Sequence, residues 1–242
     1  MAEIGSVIDE KYEIVKKIGQ GGMSLVYLAT DRHLNKTWAV KEIRRKGKGK
    51  AEEFVYNSLI TEANLMKKLD HPALPRIVDI IENSVTIYVV MDYIEGESLD
   101  KVLEEYGAQP EELVIEWAKQ ICDALSYLHS QKPPIIYRDM KPANVMLKPE
   151  GNIKIIDFGI AREYKEKSLA DTTVLGTKGY APPEQYSGQT DARSDIFALG
   201  MTMHHLLTGI DPRGGEAYAP VRMWNPELSE GIELIIDRCV QP

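Results

Sequence analysis

The apolar positions near the start of the chain follow a strand-like pattern. Tyr12, Ile14, Val15, Leu25, Val26, Tyr27 and Leu28 supply β-prone side chains, and residues 38–43 (WAVKEI) alternate like a further strand. Phe54, Ser58, Leu59, Glu62, Leu65, Met66 and Leu69 then recur at three- and four-residue steps, which predicts a helix, and Pro72 and Pro75 predict its end. Two short apolar runs follow, Ile77 to Ile81 and Thr86 to Met91, so a small, mainly β unit with one helix closes near residue 91.

Beyond that point the character changes. Glu95-Gly96-Glu97-Ser98 reads as a turn with Ser98 as a helix cap. Residues 114–128 carry helical spacing, with Trp117, Ile121, Ala124, Leu125 and Leu128 on one face, and Pro133-Pro134 break the pattern. Ile153 to Ile156 reads as a short buried strand. Residues 163–183 have weak periodicity and many small polar groups, as expected of a long functional loop. Ile196 to Leu207 and Ile232 to Cys239 are helical again. The expected fold is α+β, with a β-rich first lobe over residues 1–91, a connection over 92–97 and a mainly helical second lobe over 98–242. Clefts between such units are preferred ligand sites.

Composition narrows the function classes. A chain of 242 residues with 43% hydrophobic and 27% charged residues is neither disordered nor fibrous. The net charge of −8 argues against nucleic acid as the main partner. Cys122 and Cys239 form neither a disulfide scaffold nor a metal-ligand cluster, which fits a reducing, cytoplasmic compartment. Neither a secretory signal nor a run of roughly 18 uncharged apolar residues is visible, so no membrane contact is expected from this segment. A membrane anchor, if the natural protein has one, would lie outside it. The basic run Arg44 to Lys50 reads as a solvated loop tip.

Three local patterns carry chemistry. Gly19-Gln20-Gly21-Gly22-Met23-Ser24-Leu25-Val26 follows a strand, and its glycines would let backbone approach a phosphate; alone, it reads equally well as a plain turn. Lys41, in Ala39-Val40-Lys41, would alternate inward, with Glu62 on the following helix available to hold it. Tyr137-Arg138-Asp139-Met140-Lys141-Pro142-Ala143-Asn144 is followed by Ile155-Ile156-Asp157-Phe158-Gly159. An acceptor, a cation and an amide on one loop, with a second carboxylate after a short strand, are the parts that phosphoryl transfer needs.

With these motifs in this order, the chain resembles the eukaryotic-like (Hanks-type) serine/threonine protein kinases, with a bacterial flavour in GGMSLVYLA and YRDMKPANVML. The resemblance runs from about Tyr12 to the C-terminus, and makes the two lobes and their connection the N-lobe, C-lobe and hinge. It implies transfer of the γ-phosphate of ATP to Ser or Thr hydroxyls of protein substrates, with Mg²⁺, or Mn²⁺ in its stead, and with autophosphorylation of the activation loop. Asp139 would accept or orient the substrate hydroxyl's proton, and Lys141 would contact the γ-phosphate. Asn144 and Asp157 would hold the metal. Lys41 would contact the α- and β-phosphates and pair with Glu62. Ile18, Gly19 and Gly21 belong to the nucleotide-binding set, with Gly19 to Val26 covering the phosphates. Val26, Ala39 and Met146 would sandwich adenine, Met91 would be the gatekeeper, and Asp92 to Ile94 the hinge whose backbone meets the base. Asp195 would brace the catalytic loop from a buried helix, and Ile77, Met66, Phe158 and Tyr137 would form a column through the active state. Arg138 would pair with a phosphate on Ser168, Thr172 or Thr173, the threonines being preferred, and Thr177 would reach Asp139 and Lys141.

Departures from the family pattern sit at Ser24, in place of a third loop glycine, at Tyr137, in place of His, and at Pro182-Pro183-Glu184. Glu184 calls for an arginine late in the second lobe, and Arg238 comes too early to supply it. The C-lobe therefore reads as incomplete. A less stable fragment with a rearranged activation segment is expected, and exposed apolar surface that would support dimers or segment exchange. Two other readings stay open: a nucleotide-binding pseudokinase-like module and a small-molecule kinase of related fold.

Overall fold

The structure, a computed structural model, describes residues 2–20, 24–44, 57, 60–61, 63–83, 85–157, 176–186, 188–215 and 217–241. Gly21, Glu62 and Phe158, the phosphorylatable Ser168, Thr172 and Thr173, and all of the loop tip beyond Arg44, residues 45–50, lie outside these residues. The chain divides into two compact units. The first holds residues up to Asp70 and Leu74–Ile94, and the second holds His71–Ala73, Glu95 onward to residue 157, and the described residues from 176.

The first unit is built on six antiparallel strands: β1 (Val7–Ile8), β2 (Tyr12–Gln20), β3 (Ser24–Asp31), β4 (Lys36–Arg44), β5 (Ile77–Glu82) and β6 (Thr86–Asp92), in the order β1-β2-β3-β4-β6-β5. β4 departs from the expected alternation, because all of Trp38 to Ile43 is buried. It is a central strand, paired with β3 on one edge and β6 on the other, and the side chains on both of its faces are buried. Trp38 and Val40 join Ile8, Tyr12, Ile14, Tyr27, Ala29 and Val90 in one apolar cluster. Glu42, also buried, accepts hydrogen bonds from Tyr27 Oη (2.9 Å), Ala2 N (3.0 Å) and Arg44 Nε (2.7 Å). Burial beside that carboxylate pushes the Tyr27 hydroxyl up to about 12. Within the expected helix, residues 63–66 are helical. It gives way to a turn at Lys67-Lys68, before the prolines, and Leu65 faces solvent while Met66 and Leu69 are buried.

The second unit opens with β7 (Glu97–Ser98), which pairs with β8 (Val145–Leu147), itself paired with β9 (Ile153–Ile155). Its helices are α1 (Leu99–Tyr106), α2 (Glu111–His129), α3 (Pro183–Tyr186), α4 (Ala192–Thr208), α5 (Val221–Trp224) and α6 (Glu230–Cys239). Ser98 occupies the N-cap position of α1, but its side chain makes no capping bond. α4 is apolar around most of its circumference, as a central helix must be, and packs against both α2 and α6. It begins at an Asp191–Ser194 capping box and ends at Gly209 in the left-handed region. Gly200 admits α6 so closely that a Cβ there would lie 2.6 Å from Cys239 Cβ. His71–Ala73 belong with the helices rather than with the sheet they follow. The His71 ring stacks on Tyr127 and its Nε2 meets Asp123 Oδ2 at 3.1 Å, while Ile155 N donates to Ala73 O. Among the described residues, no helix is long and apolar enough to cross a membrane.

Candidate active site

In the first unit, sheet register gathers the expected nucleotide-binding positions. Gly19 pairs with Val26, Val26 with Lys41, and Ala39 with Met91. Directly paired residues share a face, as do residues two apart, so Gly19, Val26, Ala39, Lys41 and Met91 all belong to one face of the sheet. Lys41 is 5% exposed and shares this face with apolar neighbours. Ile18 sits in the irregularity between Lys17 and Gly19 and is exposed. Asp92 pairs with Trp38, which places it on the opposite face. Its carboxylate is committed to Arg76 (3.1 Å), and its N–H donates to Arg76 O (3.0 Å). Of the expected hinge residues, Asp92 therefore offers a base no N–H, and Ile94 is the last described residue of this unit.

In the second unit, residues 137–144 are held in place by α4. Asp195, fully buried, accepts from Tyr137 N (2.9 Å), Arg138 N (2.7 Å) and His129 Nε2 (2.7 Å). Tyr137, where the family has His, packs as a buried ring and donates its hydroxyl to Ile156 O. Ile156 N in turn donates to Asn144 O. This ties the loop to the short segment that carries Asp157, whose own backbone is left-handed at φ 61°.

Four functional groups then converge. The Asp139 carboxylate, 3% exposed, accepts from Thr177 Oγ1 at its Oδ1 (2.7 Å) and from Asn144 Nδ2 at its Oδ2 (2.6 Å). Lys141 Nζ lies 3.1 Å from Asp139 Oδ2 and donates to Thr177 Oγ1 (2.9 Å). The result is a closed ring of acceptor, hydroxyl and cation, buttressed by an amide. Because Asn144 Nδ2 is spent on Asp139, the amide oxygen is the atom Asn144 has for a metal. With the Asp157 carboxylate it would offer oxygen donors only, the chemistry that Mg²⁺ or Mn²⁺ accepts. Met146 lies on β8, paired with Ser98 and Lys154.

Three features had no signal in the sequence pattern. His129 is the third donor to Asp195. Tyr180 Oη meets His205 Nδ1 of α4 at 2.6 Å in a buried contact. Gln185, beside the Pro-Pro-Glu run, reaches Arg138 O through its Nε2 at 2.9 Å. Glu184 is half-buried and accepts from Ser194 Oγ at 3.2 Å.

Comparison with known proteins agrees with this geometry. The family model described as protein kinase domain matches residues 12–223. The serine/threonine-protein kinase PrkC of Bacillus subtilis is 35% identical over 247 residues, covering 96% of this chain and 38% of that protein. The serine/threonine-protein kinase PknB of Mycobacterium tuberculosis is 35% identical over 220 residues, covering 88% and 34%. The chain thus spans about a third of the length of these curated relatives. Among solved structures, Rad53 1–466 in complex with AMP-PNP superposes with a TM-score of 0.78 at 26% identity, covering 96% of this chain and 60% of that one. The apo form of PpkA-294 superposes at 0.80 with 27% identity, covering 100% and 93%. With a β-sheet unit, a helical unit and an Asp139-centred ring in the family's order, the chain belongs to the protein kinase domain family, of the Hanks type and on the bacterial side of it.

Proposed function

We propose that this domain transfers the γ-phosphate of ATP to serine or threonine hydroxyls of proteins, its own activation loop included. The ring of Asp139, Thr177 and Lys141 carries the reading. Asp139 orients the acceptor hydroxyl and takes its proton as the new oxygen–phosphorus bond forms and the bond to the β–γ bridging oxygen breaks, releasing ADP. Lys141 neutralises charge that develops on the transferred group. The Thr177 contact favours hydroxyl acceptors of the Ser/Thr class over tyrosine. Lys41, Val26, Ala39 and Met91 serve the nucleotide from their shared sheet face, joined by Gly19 and, at the strand irregularity, Ile18. Ile94 supplies the backbone donor to the base that Asp92 does not. Asn144 and Asp157 would hold Mg²⁺, which when bound neutralises phosphate charge. Met146 completes the nucleotide set, and Glu62 and Gly21 keep the roles the resemblance gives them.

The partners are then ATP and protein substrates, in a reducing, cytoplasmic setting that suits the two free cysteines. Self-association belongs to the same reading. It is supported by Leu234 and Ile235 of α6, which are 55% and 53% exposed.

The test is incubation of the chain with Mg²⁺-ATP, with and without a generic Ser/Thr protein substrate, read by intact mass. Phosphates that accumulate on the wild-type chain and vanish in Asp139→Asn support transfer. Nucleotide binding without incorporation on any protein would leave only a binding module and sink the proposal.

A further inference from the structure

We propose that Gln185 is a positioning residue for the transfer reaction, setting the geometry of Asp139 by clamping the peptide immediately before it. This rests on the kinase reading above. Arg138 is held in the left-handed region at φ 67°, a conformation that a non-glycine residue keeps only when its surroundings impose it. Two hydrogen bonds impose it here. The Arg138 N–H donates to Asp195 Oδ1 at 2.7 Å, and the Arg138 carbonyl accepts from Gln185 Nε2 at 2.9 Å. A carbonyl can only accept, so the Gln185 amide must present its nitrogen.

The same side chain controls the segment that delivers Thr177. Gly176 packs directly against the Gln185 amide, and a Cβ on Gly176 would overlap its nitrogen. The Thr177–Asp139 hydrogen bond is therefore paralleled one residue upstream on both segments, where Gln185 spans Gly176 and Arg138. One buried group, 2% exposed, thus links the two backbones that carry the reacting ring, and it reaches across 47 residues of sequence to do so.

The cost of the arrangement favours this reading over simple packing. Gln185 Oε1 is buried and has no hydrogen-bond partner among the described residues. A residue present only to fill space would do better as Met or Leu, because an unpaired buried acceptor loses its hydration and gains nothing in return. What the amide contributes is the single directed bond to Arg138.

Two variants of this chain test the idea. Gln185→Met keeps length and volume while removing both the donor and the unpaired acceptor. It exchanges one unpaired acceptor, Gln185 Oε1, for another, the Arg138 carbonyl, so the denaturation midpoint should stay close to that of wild type and KM for ATP within about twofold, while kcat falls about tenfold or more, since small displacements of a reacting group are that costly. Gln185→Glu places a carboxyl against the Arg138 carbonyl, where only the protonated acid can donate. Its kcat relative to wild type should fall as pH rises through the carboxyl's burial-raised pKa. A folded Gln185→Met with wild-type kcat overturns the proposal, as does loss of stability with no change in kcat, or a Gln185→Glu ratio that stays flat with pH. A wild-type chain that transfers no phosphate removes the kinase reading, and this inference with it. Wild-type transfer unaffected by either variant removes the inference alone.

Discussion

Thr177 Oγ1 donates to Asp139 Oδ1 at 2.7 Å and accepts from Lys141 Nζ at 2.9 Å, so one hydroxyl relays between the acceptor and the cation of the site. Thr177→Val keeps the shape and removes both bonds. A hydrogen bond to a charged group contributes about 1.5–3 kcal/mol, which corresponds to a loss of about 10–100-fold in phosphate transfer. Thr177→Ser should restore most of it. Steady-state rates on a protein substrate check this, and a Thr177→Val enzyme with wild-type kcat would contradict the relay.

Asp195 is the interior counterpart. Removing it strands two backbone N–H groups and the His129 ring, all aimed at one fully buried carboxylate. Asp195→Ala should destabilise the chain by about 3–5 kcal/mol. Urea denaturation should show the midpoint falling, and His129→Ala should cost less, because it leaves the two backbone contacts intact.

Gly179 lies at φ 89°, against the backbone of the turn that follows α4. A Cβ there would sit 2.5 Å from Pro212 O and 2.9 Å from Arg213 N. Neither neighbour is a flexible side-chain end, so the clash cannot relax cheaply. Gly179→Ala should lose about 1–3 kcal/mol of stability. Gly107→Ala also has positive φ but meets no atom within 4 Å, and it should lose less. The difference between the two denaturation midpoints isolates the close approach.

Acid should weaken the fold through the histidines of α4. Burial pulls the His205 pKa below its ordinary value of 6.5, and desolvation does the same for His204. Burial also pushes the Tyr180 hydroxyl up, so it stays protonated in its 2.6 Å contact with His205 Nδ1. A group with a depressed folded pKa binds fewer protons folded than unfolded. Its stabilisation is complete above about pH 6.5 and is lost as pH falls through the interval below. Thermal midpoints at about pH 7.5 and 5.5 should therefore differ more for wild type than for His205→Gln.

The sequence by itself determined much of the layout. The β-prone positions between Tyr12 and Leu28 and the helical spacing over 114–128 and 196–207 are legible because such patterns are local properties of the chain, and they fall inside the observed strands 12–20 and 24–31 and helices 111–129 and 192–208. The order of Asp139, Lys141 and Asn144 is also local, and an ordered spacing of that kind indicates chemistry before any fold is known. Tertiary structure decided the rest. β4 is buried on both faces, one of them by packing Trp38 and Val40 against Ile8, Tyr12, Ile14 and Tyr27 from other strands, which no alternation within 38–43 reports. Asp92 turns away from Lys41 because its register partner is Trp38, and His71–Ala73 side with the helices because Tyr127 and Asp123 are there to receive them. Gln185 gained a role only when residues 138 and 185 were brought together. Local periodicity is written in neighbouring residues, but a directed bond between distant segments exists only after the chain has closed the loop between them, and its partner is set by packing.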